Sequence, residues 1–259
     1  DYERARGNKI GFVPTMGALH AGHLALVDRA HELADEVVVS IFVNPTQFGA
    51  NEDFDRYPRT LDADRELLAG RVEIFAPSVD DVYPPGNPPA VISAGPLGNR
   101  WEGASRPGHF DGVLTVVNRL FDLVKPDFAV FGEKDWQQLA LIRAMAAERH
   151  PDFQIVGVPT VRDADGLALS SRNRYLSAAE RETAALIPAV LRDIAAAGGT
   201  DESIVRAAAK LDHAGIILDY LDVVDPVTLE PVRGSGPART IIAARVGTTR
   251  LIDNLTVRD

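Results

Sequence analysis

Two histidines three positions apart lie near the start of the chain, in the segment Pro14-Thr15-Met16-Gly17-Ala18-Leu19-His20-Ala21-Gly22-His23. At this spacing, in a turn that opens a helix, both imidazole rings can face one side. Imidazole N–H groups can donate hydrogen bonds to phosphoryl oxygens during group transfer, and the main-chain N–H groups at a helix start also suit a phosphate. A zinc site is one alternative, but it needs a third ligand and no partner motif stands out. A purely structural histidine pair is the other.

Two further segments carry groups that suit a polyphosphate. The segment Gly132-Glu133-Lys134-Asp135 follows a predicted strand, so Lys134 would lie at the carboxyl edge of a sheet, where a cation can meet phosphate charge. The segment Leu169-Ser170-Ser171-Arg172-Asn173 follows a predicted hairpin, and its hydroxyl and guanidinium groups can clamp a triphosphate. Taken singly, the first segment is more often an exposed lysine, and the serine pair of the second is better explained as a turn followed by a helix cap. Combined with the histidine pair, they predict a nucleotide site.

In this order, the three segments resemble the nucleotide sites of class I aminoacyl-tRNA synthetases and related nucleotidyltransferases. The likeness narrows to the family of pantothenate synthetases, the pantoate–β-alanine ligases, through Asn44-Pro45-Thr46-Gln47-Phe48, Gly132-Glu133-Lys134-Asp135-Trp136-Gln137-Gln138 and Ser170-Ser171-Arg172-Asn173-Arg174-Tyr175-Leu176. Gly108-His109-Phe110-Asp111-Gly112-Val113 extends it, so the resemblance covers essentially the whole chain.

This resemblance implies a ligation in two steps. In the family, the carboxylate of (R)-pantoate attacks the α-phosphate of ATP, which gives pantoyl adenylate and pyrophosphate. The amine of β-alanine then attacks the activated acyl carbon, and pantothenate and AMP are released. Neither step needs a covalent enzyme intermediate, so positioning and charge stabilisation are expected to dominate catalysis. The implied cofactor is Mg²⁺, held mainly by the ATP phosphates rather than by protein ligands.

The resemblance also implies the site residues of this chain. The catalytic residues would be His23, His20, Lys134 and Arg172. ATP would be bound by Thr15, Met16, Gly17, Ala18, Leu19, His20, Ala21, Gly22, His23, Gly132, Glu133, Lys134, Asp135, Val161, Leu169, Ser170, Ser171 and Arg172. Pantoate would be bound by Met16, Gln47 and Gln138, and Gln47 would also reach β-alanine.

The family likeness further implies a homodimer and a mobile flap over the pantoate site, formed by residues 51–59 with Tyr57. Two residues depart from the family pattern. Leu169 stands where methionine is usual, a change that conserves volume. Trp136 replaces the commoner tyrosine, and its indole can donate but not accept a hydrogen bond. The chain begins only nine residues before Ile10, which is shorter than members of the family usually are at this end, so the resemblance implies missing residues there rather than a different architecture.

The elements that must position these segments alternate between strand and helix up to residue 160. Strands are predicted at 10–13, 36–43, 72–75, 128–131 and 154–158, and helices at 22–33, 60–68, 112–124 and 135–148. The near-continuous apolar run at 36–43 is typical of a parallel strand covered on both faces. The alternation predicts an α/β fold with a Rossmann-like doubly wound parallel sheet of the class I synthetase and nucleotidyltransferase type, with ligands at the carboxyl ends of the strands.

Beyond residue 160 the pattern changes. Asp165-Gly166 predicts a hairpin over 161–169, helices are predicted at 178–197 and 201–213, and strands at 218–224, 239–246 and 249–252. We therefore predict an ATP- and pantoate-binding domain over 1–160. A smaller C-terminal α+β domain would span 161–259 and, by resemblance, close over the ATP site. Residues 83–108, rich in Pro and Gly, form the one long stretch predicted to be irregular.

The amino-acid composition excludes some classes of binding partner and favours one cellular location. Lys and Arg total 27 and Asp and Glu total 37, a formal net charge of −10, which argues against binding to nucleic acid or an anionic membrane. The sequence contains no cysteine, which excludes disulfides and thiolate nucleophiles and favours a cytoplasmic location. No apolar run approaches the length of a membrane span. With the resemblance, these features predict small-molecule partners: ATP, pantoate and β-alanine.

Three rival interpretations compete with this one. The first is another nucleotide-transferring enzyme of the same fold, such as a cytidylyltransferase. Its phosphorylated co-substrate would call for additional basic residues, whereas Gln47 and Gln138 favour a pocket for a small hydroxy acid. A tRNA synthetase is disfavoured by negative charge, small size and the lack of an evident anticodon-binding region. A nucleotide-binding regulator without catalysis would not require His20, His23 and both cationic residues of the other two segments.

Overall fold

The computed structural model describes residues 7–50, 52 and 54–259, and these form two compact units. The first unit comprises the chain up to Glu133 together with Gln138–Pro159. The second comprises Lys134–Gln137 and Thr160–Asp259. The four residues of Lys134–Gln137 thus group with the C-terminal part of the chain, whereas the sequence analysis placed them in the first domain.

Five parallel strands form the sheet of the first unit, in the order β3-β2-β1-β4-β5. They are β1 (Ile10–Thr15), β2 (Glu36–Ile41), β3 (Glu73–Phe75), β4 (Phe128–Gly132) and β5 (Gln154–Val158). The chain first builds outward from β1 in one direction and then continues with β4 on the other side of β1. In open α/β sheets, ligands bind at the carboxyl ends of the strands where the order reverses in this way. The predicted doubly wound parallel sheet is confirmed.

Helices cover both faces of this sheet. They are α1 (Ala21–His31), α2 (Leu61–Leu68), α3 (Val79–Val82), α4 (Glu102–Ser105), α5 (His109–Val124) and α6 (Trp136–Arg149), with short 3-10 helices at Pro45–Gln47, Pro96–Asn99 and Glu133–Asp135. Successive side chains of a strand point to opposite faces. Val13 of β1 accordingly packs with Val27 of α1, and Phe12 meets Phe121 of α5 at a ring-centroid distance of 6.2 Å.

The second unit has an antiparallel sheet in the order β6-β7-β8. Its elements are a 3-10 helix at Ser171–Tyr175, α7 (Ala178–Ala184), α8 (Leu186–Ala196), α9 (Asp201–His213), β6 (Ile217–Val224), β7 (Ala238–Val246) and β8 (Thr249–Arg258). A buried apolar cluster that includes Leu191 of α8, Leu211 of α9 and Ile242 of β7 joins helices to sheet. The predicted smaller α+β architecture is confirmed. Among the described residues, no helix is long and apolar enough to cross a membrane.

Most predicted helices and strands agree with the structure to within three residues at each end. Two elements differ more, and both differences have a physical reason. The helix predicted at 178–197 is divided into α7 and α8 at Ala185, because the ring of Pro188 clashes with the carbonyl group four residues earlier, at Ala184. Strand β8 continues to Arg258, six residues beyond the predicted end at 252. The added residues include Asp253 and Asn254, whose polar side chains are buried and hydrogen-bonded within the unit.

Candidate active site

The turn between β1 and α1 is held by a buried carboxylate. The main-chain N–H groups of Ala18 and Leu19 donate to Oδ2 and Oδ1 of Asp64 at 3.0 and 2.8 Å, and only 3% of Asp64 is exposed. Ala18 has φ +51°, a left-handed conformation that is uncommon outside glycine. At Gly17, with φ +80°, a Cβ would lie 3.0 Å from Asp64 Oδ2. Asp64 therefore shapes this turn, a role that the sequence analysis missed.

His20 and His23 face each other across the start of α1, with their ring centroids 4.2 Å apart, as their spacing predicts. His20 is the N-cap of α1, and its Nδ1 accepts a hydrogen bond from the Gly22 N–H at 3.1 Å. Nδ1 of His23 accepts from the His20 N–H at 3.2 Å. Because Nδ1 is the acceptor in both rings, each neutral imidazole carries its proton on Nε2. Nε2–H is thus the donor of each ring.

The main-chain amides of this turn are engaged within the protein, which corrects one expectation. Gly17 donates to Thr15 Oγ1 at 3.2 Å, Ala18 and Leu19 donate to the Asp64 carboxylate, and the amides of residues 20, 22 and 23 donate within the first turn of α1. The expectation that main-chain N–H groups here suit a phosphate is not met at residues 17–20, 22 and 23, whose N–H groups already have partners within the protein. The geometry instead favours the imidazole N–H groups as donors, and ATP binding by residues 15–23 stays a prediction.

Gln47 is oriented by a buried amide. Its Oε1 accepts from Nδ2 of Asn44 at 3.0 Å and its Nε2 donates to Sδ of Met16 at 3.3 Å. Asn44 is the N-cap of the 3-10 helix that contains Gln47. Helix α5 approaches this helix closely, since a Cβ on Gly112 would lie 2.4 Å from the carbonyl oxygen of Thr46. Met16 and Gln47, both predicted to bind pantoate, are therefore in contact.

The main-chain carbonyl of Gln47 is held by a group that we call the Arg106 cluster: Glu52, Glu102, Arg106 and His109. Nδ1 of His109 donates to this carbonyl at 2.7 Å, and Nε2 accepts from Arg106 Nη1 at 2.9 Å. Arg106 Nε also donates to Glu52 at 2.6 Å, and Nη1 lies 3.5 Å from Glu102. Burial, with the positive charge of Arg106, lowers the pKa of His109 to about 4. The ring is therefore neutral at pH 7, as this network requires.

This cluster should make the protein sensitive to mild acid. The pKa of His109 falls from 6.5 to about 4 on folding, so the unfolded chain binds more protons than the folded one between these values. The contribution of the neutral His109 ring to stability is therefore fully present above pH 6.5 and is lost as the pH falls toward 4. From pH 7 to pH 5 we expect the His109 contribution to the free energy of unfolding to fall by about 2 kcal/mol. Urea unfolding of the wild type and of His109→Gln at both pH values measures it.

In this comparison, His109→Gln should lose most of the pH dependence between 7 and 5. Burial raises the pKa of Glu52, which also faces the ring, but the hydrogen bond and charge of Arg106 outweigh it and hold this pKa below its ordinary value, so this carboxyl group acts mainly below this range. His31→Gln, at an exposed position on α1, is the matched control and should behave as the wild type. Equal pH dependence in all three proteins would contradict the prediction.

The carboxyl ends of β1 and β4 lie at the same edge of the sheet, as neighbouring parallel strands. Thr15 is the last residue of β1, and its Oγ1 donates to the carbonyl of Ser40 in β2 at 2.6 Å. Gly132 is the last residue of β4. Within the first unit, the predicted residues of the β1–α1 turn and Gly132 therefore lie at the position where an α/β sheet binds ligands. Gln138 lies on α6 and is partly buried.

Lys134 lies in the second unit, where its main chain is anchored. Its carbonyl accepts from Nδ2 of Asn254 at 2.8 Å. Two residues later, the Trp136 indole donates to the carbonyl of Pro226 at 2.8 Å. The guanidinium of Arg239 stacks on the same indole, 3.4 Å from its centroid. The tryptophan that replaces the expected tyrosine thus uses its donor and its face, and both contacts fix the loop that carries Lys134.

The predicted hairpin over 161–169 contains a single antiparallel bridge rather than a ladder. Its base is closed by a hydrogen bond from the Leu169 N–H to the carbonyl of Val161 at 2.9 Å. Ser170 follows as the N-cap of a 3-10 helix, and its Oγ accepts from the Arg172 N–H at 3.2 Å. Ser170 therefore caps a helix, which is one of the two roles predicted for this segment. The other role, ATP binding, stays a prediction.

The predicted flap falls partly outside the described residues, since Asn51 and Asp53 are not among them. Tyr57 is buried, its carbonyl accepts from Arg59 Nη1 at 3.3 Å, and the Arg59 guanidinium lies over the ring of Phe54. The mobility of this segment and its closure over pantoate stay predictions.

Comparisons with known proteins agree on one family. The family model for pantoate-beta-alanine ligase matches residues 1–256. A pantothenate synthetase from Rhizorhabdus wittichii is 56% identical over 262 residues, which cover 98% of this chain and 93% of the relative. One from Nocardia farcinica is 56% identical over 259 residues, covering 98% and 81%.

Two solved structures extend this similarity to the fold. Pantothenate synthetase from Thermus thermophilus has a TM-score of 0.90 and 49% identity, covering 97% of this chain and 94% of that one. Pantoate-beta-alanine ligase from Francisella tularensis, complexed with beta-gamma ATP and beta-alanine, has a TM-score of 0.83 and 39% identity, covering 98% and 92%.

Proposed function

This chain belongs to the pantoate–β-alanine ligase family, and from that premise we propose how it makes pantothenate. In the first step, a pantoate carboxylate oxygen attacks the α-phosphorus of ATP and pyrophosphate leaves. In the second, the β-alanine amine attacks the acyl carbon, AMP leaves, and the amine gives up a proton as the amide forms. The chain is thus a carbon–nitrogen ligase that consumes ATP.

The observation that carries this proposal is the tautomer of the histidine pair. Main-chain amides donate to Nδ1 of both His20 and His23, so the N–H of each ring is on Nε2, a group that can donate to phosphate oxygens. The pair lies at the sheet edge where ligands bind in this fold. Negative charge develops on the α-phosphate oxygens as the carboxylate adds. Two fixed donors there stabilise the transition state more than the ground state.

Cationic residues would complete the phosphate site. We assign Lys134 to the phosphates, where its ammonium offsets the charge that grows on departing pyrophosphate. Its Nζ lies 3.8 Å from Oδ2 of Asp135, which we assign to the ribose. Arg172, with Ser170 and Ser171, would hold the triphosphate.

Mg²⁺ would enter with ATP, since this ion retains several waters and takes few protein ligands when it accompanies phosphates. It would neutralise phosphate charge during the first step. Within residues 7–50, 52 and 54–259, no group of three or more His, Asp or Glu is placed to hold a metal. The chain's own part is to orient the phosphates through its imidazole, ammonium and guanidinium groups.

Pantoate would lie between Met16, Gln47 and Gln138, where paired side-chain amides can bind its carboxylate and hydroxyl groups. Gln138→Ala is expected to raise the pantoate KM about tenfold, because it removes hydrogen bonds to the substrate. The ATP KM should change little. Steady-state pyrophosphate release at varied pantoate measures this. Gln154→Ala, the same substitution at an exposed position, is the control, and an unchanged pantoate KM in Gln138→Ala would place the acid elsewhere.

The function itself is tested by pyrophosphate release from ATP and Mg²⁺ with pantoate, without and with β-alanine. We expect a burst with pantoate alone and continuous turnover to AMP and pantothenate when β-alanine is added. If protein that is folded and binds ATP released no pyrophosphate in the presence of pantoate, the substrate assignment would fail. A screen of other carboxylic acids would then follow.

Four further properties are proposed from the family alone. They are a homodimer, a cytoplasmic location, a flap that covers pantoate, and closure of the C-terminal domain over the nucleotide. No nucleic-acid or membrane partner is proposed.

A further inference from the structure

Strand β8 carries two adjacent polar residues inside the second unit. Asp253 and Asn254 are each only 3% exposed, and they pair with Ile242 and Ile241 of β7. Neighbouring side chains of a strand point to opposite faces of the sheet. One dipeptide can therefore hold a different segment of the chain on each face, and both of these side chains do so.

On one face, Asp253 holds the hairpin over 161–169. Arg162 donates from Nη1 and Nη2 to the two carboxylate oxygens of Asp253, at 2.7 and 2.8 Å. Nη2 also donates to the carbonyl of Asn254 at 3.0 Å, and Nη1 to that of Gly166 at 3.0 Å. A bidentate pair of this kind fixes orientation as well as distance. The hairpin that leads into the Ser170–Arg172 segment is thereby fixed to β8.

On the other face, Asn254 holds the loop that carries Lys134. Its Nδ2 donates to the Lys134 carbonyl at 2.8 Å. Its Oδ1 accepts from Nη1 of Arg239, so the amide must turn its donor toward the loop. Arg239 also stacks on Trp136, the first residue of α6, two positions after Lys134. The side chain of Asn254 is thus fixed at both ends.

We propose that the Asp253–Asn254 dipeptide is a positioning element for adenylate formation. It fixes the segment around Lys134 and the Ser170–Arg172 segment relative to each other. The ammonium group of Lys134 and the guanidinium group of Arg172 can then bind the triphosphate of the same ATP molecule. Neither residue is assigned a contact with substrate. This inference rests on the proposed function, because it presumes that both segments bind ATP phosphates.

Asn254→Asp is the sharpest test. The substitution keeps an oxygen for Arg239 and adds an ion pair there, but it replaces the donor to the Lys134 carbonyl with an acceptor that repels it. We expect kcat/KM for ATP to fall roughly tenfold, the scale of one lost hydrogen bond. The pantoate KM should stay unchanged. Pyrophosphate-dependent exchange into ATP should fall in parallel, because it reports the same phosphate site.

The matched control is Thr256→Val. Oγ1 of Thr256 also accepts from Arg239, at 3.0 Å and on the same strand, but the residue makes no contact assigned to either segment. Its kinetics should equal those of the wild type. Asn254→Ala removes the donor without burying a charge, and it decides the question if the aspartate variant does not fold. Arg162→Lys, which keeps charge but loses the bidentate fork, tests the other face and should show the same ATP-selective loss.

Thermal unfolding of each variant separates positioning from a general structural role. A loss confined to the ATP parameters in a protein with the wild-type Tm supports the inference. A folded Asn254→Asp or Asn254→Ala with wild-type ATP kinetics overturns it, and so does an equal loss in ATP and pantoate parameters that follows a lowered Tm. Absence of pantoate-dependent pyrophosphate release in the wild type would instead refute the proposed function.

Discussion

Replacing His23 with alanine is expected to reduce pantoyl-adenylate formation about 10²- to 10³-fold, the range for loss of one preorganised donor to a developing anion. The physical reason is the tautomer, because Nδ1 of His23 is occupied by the His20 N–H and Nε2–H is the donor that the substrate would meet. The fold should survive, since the lost cap hydrogen bond is worth about 1 kcal/mol. Single-turnover pyrophosphate release with saturating ATP and pantoate measures the effect.

His23→Asn separates the two roles of this ring. The asparagine Oδ1 can replace Nδ1 as the acceptor for the His20 N–H, but its NH₂ group is too short to reach the position of Nε2–H. We therefore expect it to be as slow as His23→Ala while its Tm stays at the wild-type value. If His23→Asn formed adenylate at nearly the wild-type rate, the ring would serve only as a cap, and the catalytic assignment would have to be abandoned.

The helices and strands were predictable from the sequence where the local hydrophobic pattern matches the burial of the residues in the folded chain. The apolar run of β2 reads as a strand covered on both faces, and it is one. Helix α9 begins and ends at the predicted residues because Thr200 caps it and a glycine, Gly215, follows it with φ +74°. Prediction was weaker where one residue overrode the pattern, as Pro188 does between α7 and α8. It was also weaker where a distant partner satisfied buried polar residues, as Arg162 does for Asp253 in β8.

The sequence indicates the residue types of the candidate site but not the residues that support them. The histidine spacing alone implies that the rings meet, because the residues are neighbours on one turn. Asp64, by contrast, lies 46 positions from Ala18, His109 lies 62 from Gln47, and Asn254 lies 120 from Lys134. No local spacing marks such partners, and an isolated Asp or Asn on a helix or strand gives no signal. Only the folded chain shows which polar groups hold the loops that carry the chemistry.

Asp64→Asn should be the most damaging change outside the histidines. One asparagine oxygen can accept from the N–H of either Ala18 or Leu19, while the new NH₂ group faces the other N–H. A buried donor left unsatisfied costs about 2 kcal/mol, so we expect the free energy of unfolding to fall by that amount. The left-handed turn at Ala18 would also lose its hold on His20. Displacing a reacting group by about 1 Å can cost roughly 10²-fold in rate, and single-turnover adenylation should fall tenfold to a hundredfold.

Asp62→Asn is the matched control for this prediction. It makes the same substitution on the same helix, at a side chain that is 95% exposed and lies 3.7 Å from Arg65. Surface pairs of this kind contribute little, so its stability and rate should match the wild type. Urea unfolding and pyrophosphate release on the three proteins decide the matter. If Asp64→Asn lost stability but kept its rate, the turn would hold the histidines without help from the carboxylate. If it lost neither, the turn would be set by Gly17 and the strand ends alone.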